Sequence, residues 1–203
     1  EAQINLIEGV DRILSAYPED LSATAAASLR ELGVTVQTNT LVTEIADDYV
    51  LVKDTKTGEQ AIIPTYTVLW GAGVKASPLG EVLAHRTGVA LDRVGRVMVQ
   101  PDLTLADHED IFVIGDLAHF AHQTGEPLPG VAQVAMQMGN YVANVLRRRR
   151  FVKEVRPFHY KDKGMLAVIG RNRAVADIGN LHFAGFPAWL IWVFVHINFL
   201  IEF

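Results

Sequence analysis

The stretch IFVIGDLAHF, Ile111 to Phe120, runs four apolar residues straight into Gly115-Asp116 without alternation. That pattern predicts a parallel strand covered on both faces. In open α/β sheets, ligands bind outside the carboxyl ends of the strands. Gly115 there would let a ligand approach the backbone, and Asp116 would offer two acceptors to ligand hydroxyls. Alone, Gly-Asp is equally an ordinary strand-to-turn dipeptide. Gln133 and Gln137 stand four apart, so on a helix both amides project from one face. They are either solvated or aimed at a carbonyl-bearing ligand, which an amide binds without a permanent charge. Pro129 and Gly130 suit that helix's start. Glu8 closes an apolar stretch, where dinucleotide folds use an acid to bind the adenosine ribose, though a surface Glu would read the same. Gly71 and Gly73, in WGAG, suit a close cofactor approach or a tight crossover between domains. Lys163, in KDKG, is a donor for an oxygen ligand or a solvated turn lysine.

Other classes of chemistry find little support. The chain has 203 residues, a formal net charge of −5 and no cysteine, so disulfides, thiolate–metal sites and a redox Cys pair are excluded within it. The seven histidines show no metal-ligand spacing, and no metal is expected. The run Arg147–Arg150 suits a helix C-terminus or an anionic lipid surface. Without interleaved aromatics and with an acidic balance, nucleic acid is not an expected partner.

Those residues need elements to hold them. Gln3–Glu8 reads as a strand, Ser22–Leu32 as a helix capped by an Asp or Ser and stopped at Gly33, and GVTVQTNTLVTEI as one or two strands. YVLVKDTKTGEQAIIP alternates around a Thr-Gly turn, predicting a hairpin. TVLWGAG reads as a buried strand. VKASPLGEVL leads into a short helix, GRVMV is a strand, and Leu128–Arg149 has helical spacing. A small antiparallel sheet and a highly apolar helix follow. Ala188–Ile201 is apolar except at His196 and Asn198, and its fourteen residues are too few to span a bilayer. Trp189, Trp192 and His196 share one stripe of it, with Asn198 and Glu202 opposite. A monotopic surface helix or the wall of an apolar tunnel, a truncated spanning helix, and a core helix all remain open. No signal peptide is visible, and both ends look like cuts through a longer protein.

TVLWGAGVKASPLG, IFVIGDLA, AQVAMQMGNYVA, FHYKDKGMLAVIGRNRAVADIG and AGFPAWLIWVFVHINFLI, in that order, resemble the type II NADH dehydrogenases. The first two motifs are shared across two-dinucleotide-domain flavoprotein reductases; the others are more specific. The resemblance implies an α/β, Rossmann-like flavoprotein with two dinucleotide-binding domains, seen as a fragment, with a small C-terminal sheet and an apolar membrane-associated helix. It divides the chain into the second half of an NADH-binding domain (1–73), the C-terminal part of an FAD-binding domain (74–150), and the sheet with the start of a membrane and quinone region (151–203). It implies hydride transfer from NADH to FAD and then electron transfer to a membrane quinone, without proton pumping.

By the same resemblance Gly115, Asp116, Ala132 and Gln133 contact FAD, and Glu8, Gly71 and Gly73 serve NADH. Gln133, Gln137 and Lys163 border the quinone, Trp189 and Trp192 meet the lipid surface, and no side chain acts as a separate catalytic group. The implied location is peripheral, on the cytoplasmic face of a bacterial-type inner membrane, and a homodimer is compatible with it. The fragment alone is expected to be inactive. A sulfide:quinone reductase would need a cysteine that the chain lacks. A disulfide reductase would not end in such an apolar helix. A non-catalytic docking relic differs by lacking flavin.

Overall fold

The computed structural model describes residues 3–148 and 156–201. The chain divides into two compact units, Glu1–Trp70 with Lys163–Phe203, and Gly71–Asp162.

In the first unit, β1 (Ile4–Ile7) and β2 (Val34–Gln37) pair in parallel and are linked through helix α1 (Glu19–Glu31). Helix α1 begins three residues before the sequence pattern suggests. Pro18, rather than an Asp or Ser side chain, stands at its N-cap, because proline's fixed φ already suits a helix start. Strands β3 (Thr40–Ile45), β4 (Tyr49–Asp54) and β5 (Gln60–Pro64) form an antiparallel sheet, with the expected hairpin between β4 and β5. A second antiparallel sheet contains β10 (Met165–Gly170), β11 (Arg173–Ile178) and β12 (Leu181–Ala184), followed by α4 (Gly185–Ile201).

Strand β11 sits between two helices, and its alternation assigns each residue a side. Val175 joins Ile13, Leu21 and Ala25 in a cluster that includes α1, while Ala174 and Ala176 meet Ala188 of α4. Alanines on that side leave room for the helix to approach closely. Polar links reinforce the α1 contact: Arg173 donates to the Ser28 carbonyl and pairs with Glu31, and His182 Nδ1 lies 2.9 Å from Asp20 Oδ2. The His182 hydrogen bond holds the Asp20 carboxyl below its ordinary range. Residues that begin and end the sequence thus share one core.

The second unit contains α2 (Leu79–Thr87), β6 (Val97–Met98), β7 (Thr104–Leu105), β8 (His108–Phe112), a 3-10 turn (Gly115–Leu117), β9 (Ala118–His119) and α3 (Ala132–Arg148). Its core gathers Val97, Leu103, Leu105, Val113, Phe120, Val134, Met138, Phe158 and Tyr160.

Two sequence expectations fail here. Residues 66–77 form no strand, and Leu69 and Trp70 are exposed, because among the described residues no strand pairs with them. The run before Gly115 is not a parallel strand either. Only Ala106 and Asp107 separate β7 from β8, and so short a link permits only antiparallel pairing. Asp107 makes the turn with φ +61°, a conformation aspartate tolerates better than most residues. Of the four apolar residues, only Val113 is fully buried, and Ile114 is exposed.

Candidate functional site

Asp116 stands on the 3-10 turn between β8 and β9, with its side chain exposed. Gly115 carries a φ of +67°, and a Cβ placed on it would come 3.3 Å from that of Ala135 in α3. Its N–H points at Met138 Sδ, 3.3 Å away. A Cβ on Gly130, just before α3, would stand 3.7 Å from Asp116 Oδ1. The carboxylate therefore lies against the bare backbone of Gly130 beside the N-terminus of a seventeen-residue helix, while Gly115 lets the turn approach that helix at Ala135. That helix end carries the positive pole of the macrodipole and suits an electron-rich group. Helix α3 starts at Ala132 instead of Leu128, since Pro129 and Gly130 are used in the turn that meets Asp116.

The turn is braced from behind. Strand β9 pairs in parallel with β6, Ala118 opposite Val97 and His119 opposite Met98. Before β6, Asp92 accepts from the Val94 and Arg96 N–H groups at 3.0 and 2.8 Å and from Arg96 Nε at 2.7 Å. His119 Nδ1 lies 2.8 Å from Oδ2, the oxygen that also accepts from Arg96 Nε. Burial pushes the Asp92 carboxyl up, but the His119 and Arg96 hydrogen bonds outweigh it and hold it well below the ordinary carboxylate range. A group held down in this way contributes stability above its unfolded value and loses that contribution as pH falls through the folded one. Asp92→Asn is expected to cost about 2 kcal/mol at neutral pH, the scale of hydrogen bonds to a charged group. In urea titrations the gap from wild type should hold from about pH 7 to 5 and shrink below about 4. A gap that widens with acid would contradict this assignment.

The two α3 glutamines differ. Gln133 is half-buried at the helix start, next to exposed Ala132. Gln137 is engaged at both ends of its amide: Nε2 donates to the Lys161 carbonyl at 2.9 Å, and Oε1 accepts the Lys161 N–H at 3.0 Å. This pairing fixes the Gln137 amide against the Lys161 backbone and leaves one Nε2 N–H outside it.

The remaining candidates are spread over both units. Glu8 follows β1, and its Oε1 accepts the Val10 N–H at 3.2 Å, in the first unit. Gly71 and Gly73 are exposed in the second, and a Cβ on either would meet nothing within 4 Å. Lys163 is exposed and belongs to the first unit. Arg147 and Arg148 end α3, while Arg149 and Arg150 lie outside the described residues, as does Glu202.

On α4, Ala188 and Trp189 belong to the cluster beneath the sheet, and Trp192 stacks on His196 with ring centroids 4.2 Å apart. The exposed apolar stripe consists instead of Phe186, Leu190, Phe194 and Ile197. Trp189 thus packs on the sheet-ward side, and Trp192 is half-buried against His196. No described helix is long and apolar enough to cross a membrane. Among the described residues, no group of three or more acidic or histidine side chains is placed to hold a metal.

Two features escaped the sequence reading. The Asp92–His119 contact joins positions 27 apart, with only the turn pattern DRVGR as a signal. Gln123 pairs with Tyr160 across 37 residues and leaves no local signature.

Residues 1–139 match the pyridine nucleotide-disulphide oxidoreductase family. A type II NADH:quinone oxidoreductase of Mycobacterium tuberculosis is 40% identical over 206 residues, covering 100% of this chain and 43% of its own length. One from Haemophilus influenzae is 33% identical over 178 residues, covering 88% of this chain and 38% of its own. The chain therefore spans less than half the length of these curated relatives. In fold it is similar to NDH2 from Plasmodium falciparum, solved in complex with NADH, with a TM-score of 0.84 at 17% identity over 98% of this chain and 54% of that one. The chain belongs to the pyridine nucleotide-disulphide oxidoreductase family, and its sequence is similar over its whole length to type II NADH:quinone oxidoreductases.

Proposed function

We propose that the protein carrying this chain is an NADH:quinone oxidoreductase that uses FAD, peripheral to an inner membrane on its cytoplasmic face. The observation that carries this reading is the exposed Asp116 carboxylate beside the bare backbone of Gly130 at the start of α3. A carboxylate with open backbone beside it fits the hydroxyl-bearing ribityl chain of a flavin dinucleotide, and the adjoining helix terminus fits its phosphates or electron-rich ring edge. FAD, when bound, supplies the redox chemistry, taking a hydride from NADH and returning two electrons to a quinone.

This chain's own residues bind and orient. Asp116 accepts from the ribityl hydroxyls, while Gly115 keeps the turn close to α3. Ala132 leaves space at the helix start for a flat ring, and Gln133 presents an uncharged amide to ring or acceptor. Glu8 accepts from the adenosine ribose of NADH, and its negative charge disfavours a 2′-phosphate. Gly71 and Gly73 present backbone without a side chain to NADH. Lys163 donates to a quinone oxygen. The exposed stripe Phe186, Leu190, Phe194 and Ile197 meets the lipid surface, on a helix that is apolar nearly all round yet not long enough to span a bilayer.

The test is steady-state oxidation of NADH by a short-chain quinone, with the chain extended to the full length of its relatives and purified in detergent. Turnover that requires both substrates and tracks flavin content supports the reading. A well-folded protein without flavin would replace it with a docking role. Flavin with NADH oxidation but no quinone reduction would assign a different acceptor.

A further inference from the structure

We propose that Gln137 is a positioning residue for the electron-acceptor site, acting through a backbone strap that it and Gln123 hold. The inference rests on the quinone-reductase reading above. The strap is the extended segment Arg156–Lys161, which lies outside every sheet. Phe158 and Tyr160 alternate into the core, and Phe158 packs edge-on against Phe120 and Tyr141 at 5.3 and 5.5 Å.

An extended segment without a neighbouring strand must find other partners for its backbone. Here two primary amides replace that strand. Gln123 Nε2 donates to the Tyr160 carbonyl at 3.1 Å, and its Oε1 accepts the Tyr160 N–H at 3.0 Å. Gln137 repeats the arrangement on Lys161. The Phe158 N–H donates to the Pro101 carbonyl at 2.8 Å, and the Tyr141 hydroxyl donates to the Arg156 carbonyl at 2.7 Å.

The Lys161 pairing fixes the orientation of the Gln137 amide, with one Nε2 N–H left outside it. Gln133 lies one helical turn earlier on the same face, so the strap crosses α3 beside the turn that carries it. On this proposal the strap borders the acceptor's space on the Gln133 side of the helix. Loosening it should widen the acceptor's binding space without removing a group that touches the acceptor.

The experiment compares Gln137→Ala, Gln137→Glu and Gln123→Ala in the full-length protein, reading amide exchange along the strap and the kinetic constants for a short-chain quinone. Gln137→Ala should speed exchange at Lys161, and Gln123→Ala at Tyr160, each by about tenfold, the equivalent of one or two net hydrogen bonds. Gln137→Glu keeps the acceptor for the Lys161 N–H but loses the donor, and should fall between Gln137→Ala and wild type. Both alanine variants should raise the quinone KM by roughly fivefold, and Gln123→Ala should keep kcat within about twofold of wild type.

A raised KM in Gln137→Ala with unchanged exchange at Lys161, or a wild-type KM in Gln123→Ala, overturns the proposal in favour of direct contact. A wild type that reduces flavin with NADH yet ignores quinone overturns the underlying reading instead. Exchange at Lys161 that does not respond to Gln137→Ala overturns the clamp whatever the acceptor.

Discussion

Asp116→Ala should leave the full-length protein folded but largely stripped of flavin. The side chain is exposed on its turn, so removing it opens no cavity and should move the melting temperature little. Its value lies in charge-assisted hydrogen bonds to ligand hydroxyls, each worth roughly 1.5–3 kcal/mol, which corresponds to a loss of about ten- to a hundredfold in FAD affinity. Asp116→Asn retains one acceptor oxygen without the charge and should fall between wild type and alanine. NADH oxidation should decline in proportion to flavin content and recover with added FAD. Full flavin content in Asp116→Ala would show that the carboxylate serves the turn alone.

The largest stability effect should come from Gly164→Ala. Gly164 precedes β10 with φ +95°, and a Cβ there would lie 2.3 Å from the Asp177 carbonyl oxygen and 3.0 Å from the Ile178 Cα. Both neighbours are backbone of the paired strand β11, so neither can swing aside. The left-handed conformation costs an L-residue about 1–2 kcal/mol, and the forced overlap about 1–3 more. At about 2–4 °C per kcal/mol, the melting temperature should fall by roughly 4–20 °C. Gly179→Ala is the control, since Gly179 has φ +63° with nothing within 4 Å of where the new methyl would stand, and it carries only the conformational cost. Equal melting temperatures for the two variants would show that β10 shifts to admit the methyl group.

The local patterns in the chain were the legible ones. Alternation around Thr57-Gly58 predicts the β4–β5 hairpin because register there depends on neighbours a few residues away. The spacing of Val134, Met138 and Val145 predicts α3 in the same way, by one buried face. The turn at Gly115-Asp116 was legible as Gly-Asp after an apolar run, although that run proved antiparallel because two residues close its hairpin.

What could not be read depended on partners far along the chain. Gln137 looks like a second amide on an open face until Lys161, 24 residues on, is found pairing with both its ends. The packing of Trp189 beneath the sheet depends on the alanines that β11 offers to α4, which no pattern within the helix reveals. The strand expected at TVLWGAG carries the right β-branched and apolar residues, yet strand propensity expresses pairing, and no described strand pairs with it.

The most direct test of the central claim separates the two half-reactions. Under anaerobic conditions, one equivalent of NADH is added to the full-length flavoprotein and a short-chain quinone follows, while the flavin's visible absorbance band is recorded. The account predicts that NADH bleaches the band and quinone restores it, with NADPH much slower in the first step. A band that NADH leaves unchanged, or that stays bleached after quinone is added, would contradict the account.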